Sequence, residues 1–216
     1  MDLFKKVNLK DFLKDNPHMS IKPSKEDGLV LEGNFSFKTK FQNFPEVDET
    51  YNLRIYISNK FPHVIPEVVE LKDKIPKISD YHINPGDTFC LGSPIKLLTL
   101  INKKPTLNGF AEYCLVPFLY AISLKIKYDY DLIFGELAHG TDGIISEYMQ
   151  IFEVDKKDTV KNIVNMLSLN KRVANKLACP CQCGNRLGKC KLRLTVNKYR
   201  KLAPRSWYQE HLLTID

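Results

Sequence analysis

The chain has 216 residues, 44% of them hydrophobic and 26% charged, with a formal net charge of +7. That is ordinary globular usage, with length for one full domain and an appendage or for two small domains. It excludes a disordered chain, a collagen-like fibre and a coiled coil. The charge is uneven: residues up to Gln150 hold 18 Lys and Arg against 20 Asp and Glu, a net −2, and those from Ile151 hold 14 against 5, a net +9. The basic part reads as a solvated face or as a surface for an anionic partner. Nucleic acid, a membrane surface and an acidic protein are the candidates; no basic run is interleaved with aromatics, so the nucleic-acid signal is weak, and the tail is expected to dock an acidic protein.

Residues Asp2 to Leu13 carry Leu3, Phe4, Val7, Phe12 and Leu13 at roughly helical spacing, and Pro17 closes the segment. After Gly28 the period becomes two. Leu29, Leu31, Phe35 and Phe37 alternate with polar positions, with Gly33 a candidate bulge, and Tyr51, Leu53, Ile55 and Ile57 repeat the pattern. Val68, Val69 and Leu71 make a third, short strand. The short connections predict an antiparallel meander.

From Ile75 to Pro105 regular patterning fails, with four prolines and two glycines among apolar residues such as Ile83, Phe89 and Leu91. A loop this long is usually functional, and its apolar content predicts a packed one. Helical spacing resumes at Asn108, read as a cap, and runs to Ile122 with a kink expected at Pro117. Further helices are expected at Gly143 to Phe152 and Thr159 to Leu169. The longest apolar stretch, Tyr113 to Ile126, contains Pro117 and Ser123 and ends in Lys125 and Lys127. It falls short of the ~18 to 20 residues of a membrane span and reads as a buried helix. The first residues show neither the apolar core nor the cleavage site of a signal peptide, so a soluble, cytoplasmic protein is expected.

Six cysteines divide the same way as the charge. Cys90 and Cys114 stand alone, and Cys179, Cys181, Cys183 and Cys190 fall within twelve positions. Without a secretion signal, metal or catalytic roles are favoured over disulfides. Cys90 lies in the long loop, in Tyr81-His82-Ile83-Asn84-Pro85-Gly86-Asp87-Thr88-Phe89-Cys90-Leu91-Gly92-Ser93-Pro94. A nucleophilic cysteine needs access, a route to its thiolate, and donors for an oxyanion. The loop offers access, and its backbone amides and Asn84 are candidate donors. Spacing alone leaves a buried thiol as the other reading.

The stretch resembles the active-site segment of the ubiquitin-conjugating enzyme family, which carries His-Pro-Asn, a turn with Gly, then Cys-Leu. His82-Ile83-Asn84 matches with Ile83 in place of Pro, the step from His82 to Cys90 is the family's, and Cys90-Leu91 matches its Cys-Leu. Phe61-Pro62 and Pro66-Glu67-Val68 are similar to its aromatic-Pro and Pro-x-Val pieces. The resemblance implies an α+β fold of the ubiquitin-conjugating type over residues 1–152: an N-terminal helix, a strand meander, a long active-site loop and C-terminal helices. It implies that Cys90 accepts an acyl group as a thioester. Asn84 would stabilise the oxyanion or hold the loop, and His82 would be mainly structural. Gly135-Glu136-Leu137-Ala138-His139-Gly140 resembles divergent bacterial relatives that accompany antiphage signalling by cyclic oligonucleotides. There His139 is either a proton acceptor near the site or a helix-boundary or core histidine.

Cys179-Pro180-Cys181-Gln182-Cys183-Gly184, followed by Cys190, suits four thiolates around one zinc ion in a tight loop. It is similar to the SEC-C zinc motif, whose first three ligands match Cys179, Cys181 and Cys190. Lys191 occupies the fourth ligand position, and Cys183, where the motif has Ser, is the replacement ligand. Unmetallated redox-active thiols and an iron–sulfur cluster are the other readings. Residues 153–216 are thus expected to be a helical extension with a small zinc-binding, basic tail.

Together the resemblances imply a thioester-forming acyltransferase of bacterial antiviral defence. Its partners would be a protein donating a C-terminal carboxyl, expected to be a cyclic-oligonucleotide synthase, and a protein amine. The basic tail is expected to dock the acidic conjugation substrate. No Gly-rich nucleotide loop appears, so a separate activating enzyme or a pre-activated donor is implied. The alternatives are a catalytically inactive binding module of the same fold, and a zinc-containing nucleic-acid-binding protein.

Overall fold

A computed structural model describes residues 3–24, 27–133 and 140–215. The chain is mixed α and β and divides into two compact units, residues 1–136 and 137–216. The division falls before the position expected from the sequence, so the helix at Gly140–Phe152 belongs to the second unit.

The first unit opens with two short helices, α1 (Leu3–Lys6) and α2 (Leu9–Asp15), rather than one. Asn8 separates them in the left-handed region, at φ 53°, a conformation that Asn tolerates better than most residues. Val7, Leu9 and Phe12 bury the inner side, and the Asn16 side chain closes the end by donating to the Phe12 carbonyl at 2.9 Å.

Four antiparallel strands follow in sequential order: β1 (Met19–Lys22), β2 (Gly28–Thr39), β3 (Val47–Ser58) and β4 (Glu67–Glu70). The pairing of β2 with β3 is unbroken from Gly28↔Ser58 to Thr39↔Val47, so Gly33 is not a bulge. Gly33 has φ +150°, and a Cβ there would lie 2.0 Å from the His18 carbonyl oxygen. It is glycine because the chain entering β1, which pairs with it in the sheet through Met19, sets the His18 carbonyl where a Cβ would lie. The alternation lays Leu29, Leu31, Phe35 and Phe37 beside Tyr51, Leu53, Ile55 and Ile57 on one buried face. Each such side chain, fully buried, contributes about 1.5–3 kcal/mol.

The segment after β4 is less irregular than the sequence suggests. It contains a 3-10 turn at Ser79–Tyr81 and a helix, α3 (Pro94–Ile101), with Pro94 in its first turn and Ile95, Leu98 and Ile101 buried at helical spacing. Helix α4 (Leu107–Tyr128) then packs on β3. Its cap is Thr106, whose Oγ1 accepts from the Gly109 N–H at 3.2 Å, and Asn108 lies inside the helix. Pro117 is accommodated by a wide π-turn at Ala111–Leu115, where the Val116 N–H reaches the Ala111 carbonyl. By length and composition α4 is long and apolar enough to cross a membrane, unlike the shorter stretch read from sequence. Its Phe110, Leu115, Leu119, Ile122 and Leu124 are buried within the unit, and Ser123 pairs with the Tyr51 hydroxyl at 2.7 Å.

The second unit comprises α5 (Gly140–Phe152), α6 (Lys157–Ser168), α7 (Lys171–Ala174), a cysteine loop, α8 (Leu192–Tyr199) and α9 (Arg205–Ile215). Its core joins Tyr148, Phe152, Ile163, Leu167, Tyr199 and Tyr208. Arg200 donates to the carbonyls of Met166 and Leu169 at 2.6 Å each and of Leu167 at 3.2 Å, so a cation satisfies the C-terminal end of α6.

Candidate functional site

The segment between β4 and α3 folds back on itself as a small hairpin. Ile83 pairs with Phe89, Thr88 pairs with Val69 at the sheet edge, and the Phe89 N–H donates to the Val68 carbonyl at 2.9 Å. The turn at its tip is Asn84-Pro85-Gly86-Asp87. There the Asn84 N–H donates to the Thr88 carbonyl at 2.8 Å and the Asp87 N–H to the Asn84 carbonyl at 3.0 Å. Gly86 and Asp87 take positive φ, 94° and 66°. Beneath the turn Ile83 and Phe89 are buried, and Phe89 stacks on Phe118 of α4 with centroids 4.7 Å apart.

This hairpin brings three of the four candidate catalytic residues together. The Cys90 N–H donates to the His82 carbonyl at 2.7 Å. His82 is buried and left-handed at φ 53°, with its own N–H on the Ser79 carbonyl at 2.8 Å. The exposed Asn84 donates its side-chain amide to Thr88 Oγ1 at 3.2 Å, across the turn. Cys90 is half-buried. The fourth candidate, His139, lies outside the described residues. Cys114, by contrast, is buried in α4, and burial pushes its thiol up to about 12. It has no route to a thiolate at neutral pH.

Sequence reasoning missed Lys77. Its Nζ lies 3.0 Å from Asp87 and 2.9 Å from Asp73, which ties the turn to the segment leaving the sheet. The two carboxylates raise the Lys77 pKa to about 12. Nothing in the spacing of Asp73, Lys77 and Asp87 announces this; only the folded loop brings the three together.

The second cluster lies in the second unit. Between α7 and α8, Ala178 pairs with Arg186, and the Cys179 N–H donates to the Asn185 carbonyl at 2.9 Å. Leu187, fully buried, anchors the loop, and its N–H donates to the Leu177 carbonyl at 2.9 Å. The tip turns at Gln182, with φ 60°, and Gly184, with φ 76°. As a result the Sγ atoms of Cys179, Cys181, Cys183 and Cys190 all lie within 4.8 Å of one another, with Cys179 to Cys181 at 3.2 Å and Cys181 to Cys190 at 3.5 Å. Burial pushes the Cys179 thiol up. The Cys183 thiol, which accepts hydrogen bonds from Asn185 and Cys181, is pulled down to about 6.

The four cysteines can hold a metal ion. Bonds of about 2.3 Å in a tetrahedral tetrathiolate place sulfurs roughly 3.8 Å apart, inside the observed range. The Leu192 N–H also points at Cys190 Sγ, at 3.5 Å, an outer contact of the kind that steadies a bound thiolate. No protein-family model, curated protein or solved structure matches the chain.

Proposed function

We propose that the first unit is a ubiquitin-conjugating-like acyl carrier working through Cys90, and that the second holds a structural zinc ion on Cys179, Cys181, Cys183 and Cys190. One arrangement carries the first claim. A half-buried Cys90 is pinned to His82 within a turn that also presents Asn84, directly after an antiparallel meander and before the long helix.

In this reading the Cys90 thiolate attacks the carbonyl carbon of a protein C-terminus that arrives activated, as an acyl adenylate or as the thioester of a separate enzyme. The S–C bond forms as adenylate or thiolate departs. An Asn84 amide has two hydrogens, and Thr88 engages one; the second is available to an oxyanion. A protein amine then attacks the thioester, the C–S bond breaks, and the thiolate returns to Cys90. The surplus ammonium proton goes to water or to a base, for which His139 is the candidate. His82 shapes the loop. The donor is taken to be the C-terminus of a cyclic-oligonucleotide synthase, in cytoplasmic bacterial antiviral defence.

In the second unit, the zinc would cross-link a loop that buries little besides Cys179, Pro180 and Leu187.

The test is co-expression with the genomic neighbours, followed by intact mass spectrometry. An adduct on Cys90 that a thiol reductant removes is expected. An unmodified Cys90 in the presence of an active neighbouring activating enzyme would overturn the reading.

A further inference from the structure

From Thr159 to Gln209 the chain carries twelve Lys and Arg and no Asp or Glu. Arg200 is spent on the carbonyls of α6, and Lys161 is half-buried on α6. The other ten are exposed.

The fold gathers several of them onto one lobe. Lys171 and Arg172 lie on α7 and Lys176 just after it. The cysteine loop is laid against this segment by the Ala178–Arg186 pairing and by the Gly188 N–H donating to the Asn175 carbonyl at 3.0 Å. The approach is close: a Cβ on residue 188 would sit 2.8 Å from that oxygen. Lys176, Arg186 and Lys189 are therefore neighbours along the paired segments. Arg193 follows on α8, and its N–H donates to the Cys190 carbonyl at 3.2 Å.

Solvated faces ordinarily mix signs, because like charges repel and oppose folding. This one does not. Lys157 pairs with Asp142 outside this stretch, and among the described residues none of the ten has a carboxylate partner. A zinc tetrathiolate carries −2 and would offset only two of these charges. The remainder calls for a uniformly negative partner.

Two features separate the classes of polyanion. Protein interface cores favour aromatics and disfavour Lys, yet six of the ten are Lys. Aromatic platforms, which single-stranded bases need, are also missing from this surface. Tyr199 and Tyr208 are buried, and Trp207 is half-buried with its ring 4.8 Å from that of His211. Evenly spaced phosphates need neither feature. We propose that this lobe binds the phosphate backbone of duplex nucleic acid without reading its sequence. The lack of aromatics that argues against base recognition is consistent with a backbone binder.

The experiment titrates the full-length protein into a fluorescein-labelled 20-base-pair DNA duplex of mixed sequence, from 50 to 200 mM NaCl. About five phosphate contacts give a slope of log K against log salt of about −4 to −5. Permuting the duplex sequence should leave affinity unchanged. The triple substitution Lys176→Gln, Lys189→Gln, Arg193→Gln should weaken binding on the order of 10²-fold at 100 mM salt and flatten the slope by about 3. Unchanged circular dichroism and metal content would show that the triple variant is folded. Cys90→Ala should bind like the parent, which keeps this test separate from the acyl-carrier reading. Absence of duplex binding at 50 mM salt, a slope near zero, or an unaffected triple variant would overturn the proposal. So would tighter binding to poly-glutamate or to phosphatidylserine vesicles than to the duplex, which would assign the surface to an acidic protein or a membrane.

Discussion

The backbone N–H of Cys90 donates to the carbonyl of His82 at 2.7 Å, so two residues eight positions apart close one hairpin. The thiol therefore sits at a fixed point beside the turn and not on a swinging loop. Buried Ile83 and Phe89 secure the hairpin from below, and Lys77 braces its tip through Asp87.

Asn84 separates a chemical role from a structural one. If its amide stabilises the oxyanion, Asn84→Ala should slow acyl transfer by about 10² to 10³ and lower the melting temperature by no more than about 4 °C. Its bond to Thr88 is exposed, so losing it should cost under about 1 kcal/mol. Stopped-flow transfer rates and thermal melts together decide. A normal rate would remove Asn84 from the chemistry.

Lys77→Met should loosen the turn without unfolding the unit, because exposed ion pairs contribute about 0–1 kcal/mol each. The expected readout is alkylation of Cys90 by iodoacetamide, altered severalfold while the melting temperature holds. Identical alkylation rates would mean that Lys77 does not position the turn.

The sheet and the cysteine cluster were legible in the sequence. The period-two runs of β2 and β3 and the step from His82 to Cys90 all reappear in the fold. The rest was hidden for physical reasons. Strand β1 is four residues long and buries only Met19, too short for a period to register. Helix α3 begins at a proline within a proline-rich stretch, so its buried Ile95, Leu98 and Ile101 were lost among turn signals. Asn8 breaks the first helix by backbone conformation, which the apolar spacing of Val7 and Leu9 does not encode. The compactness of the four cysteines could be anticipated from spacing, but the pairing of Ala178 with Arg186 that folds their loop could not.

Metal analysis of the purified protein should find about one equivalent of zinc. Chelation should release the cysteine loop and α8 to proteolysis and leave residues 1–136 protected, since the first unit has its own core. Less than about half an equivalent, with four alkylatable thiols in a folded tail, would exclude the metal site.

His211 should make the second unit acid-sensitive. Thr214 donates its only hydrogen to the His211 carbonyl at 2.7 Å, so its oxygen accepts from Nδ1–H at 3.0 Å. Nε2 then accepts from the Tyr148 hydroxyl at 2.7 Å. Burial lowers the His211 pKa to about 4, below the unfolded value of about 6.5. The unfolded chain thus binds more protons between those values, and stability should fall as pH drops from about 6.5 to 4, by at most about 1.4 kcal/mol per unit. Urea unfolding followed by Trp207 fluorescence measures this. A variant His211→Phe should lose the dependence, and an unchanged slope would place its origin elsewhere.

The most direct test of the account is the chemistry at Cys90 itself. Wild type, Cys90→Ser and Cys90→Ala are incubated with the activating enzyme and donor protein, then treated with dithiothreitol and run by intact mass. The account predicts a reductant-labile adduct on wild type, a reductant-stable ester on Cys90→Ser, and none on Cys90→Ala. An adduct that persists undiminished in Cys90→Ala would contradict it.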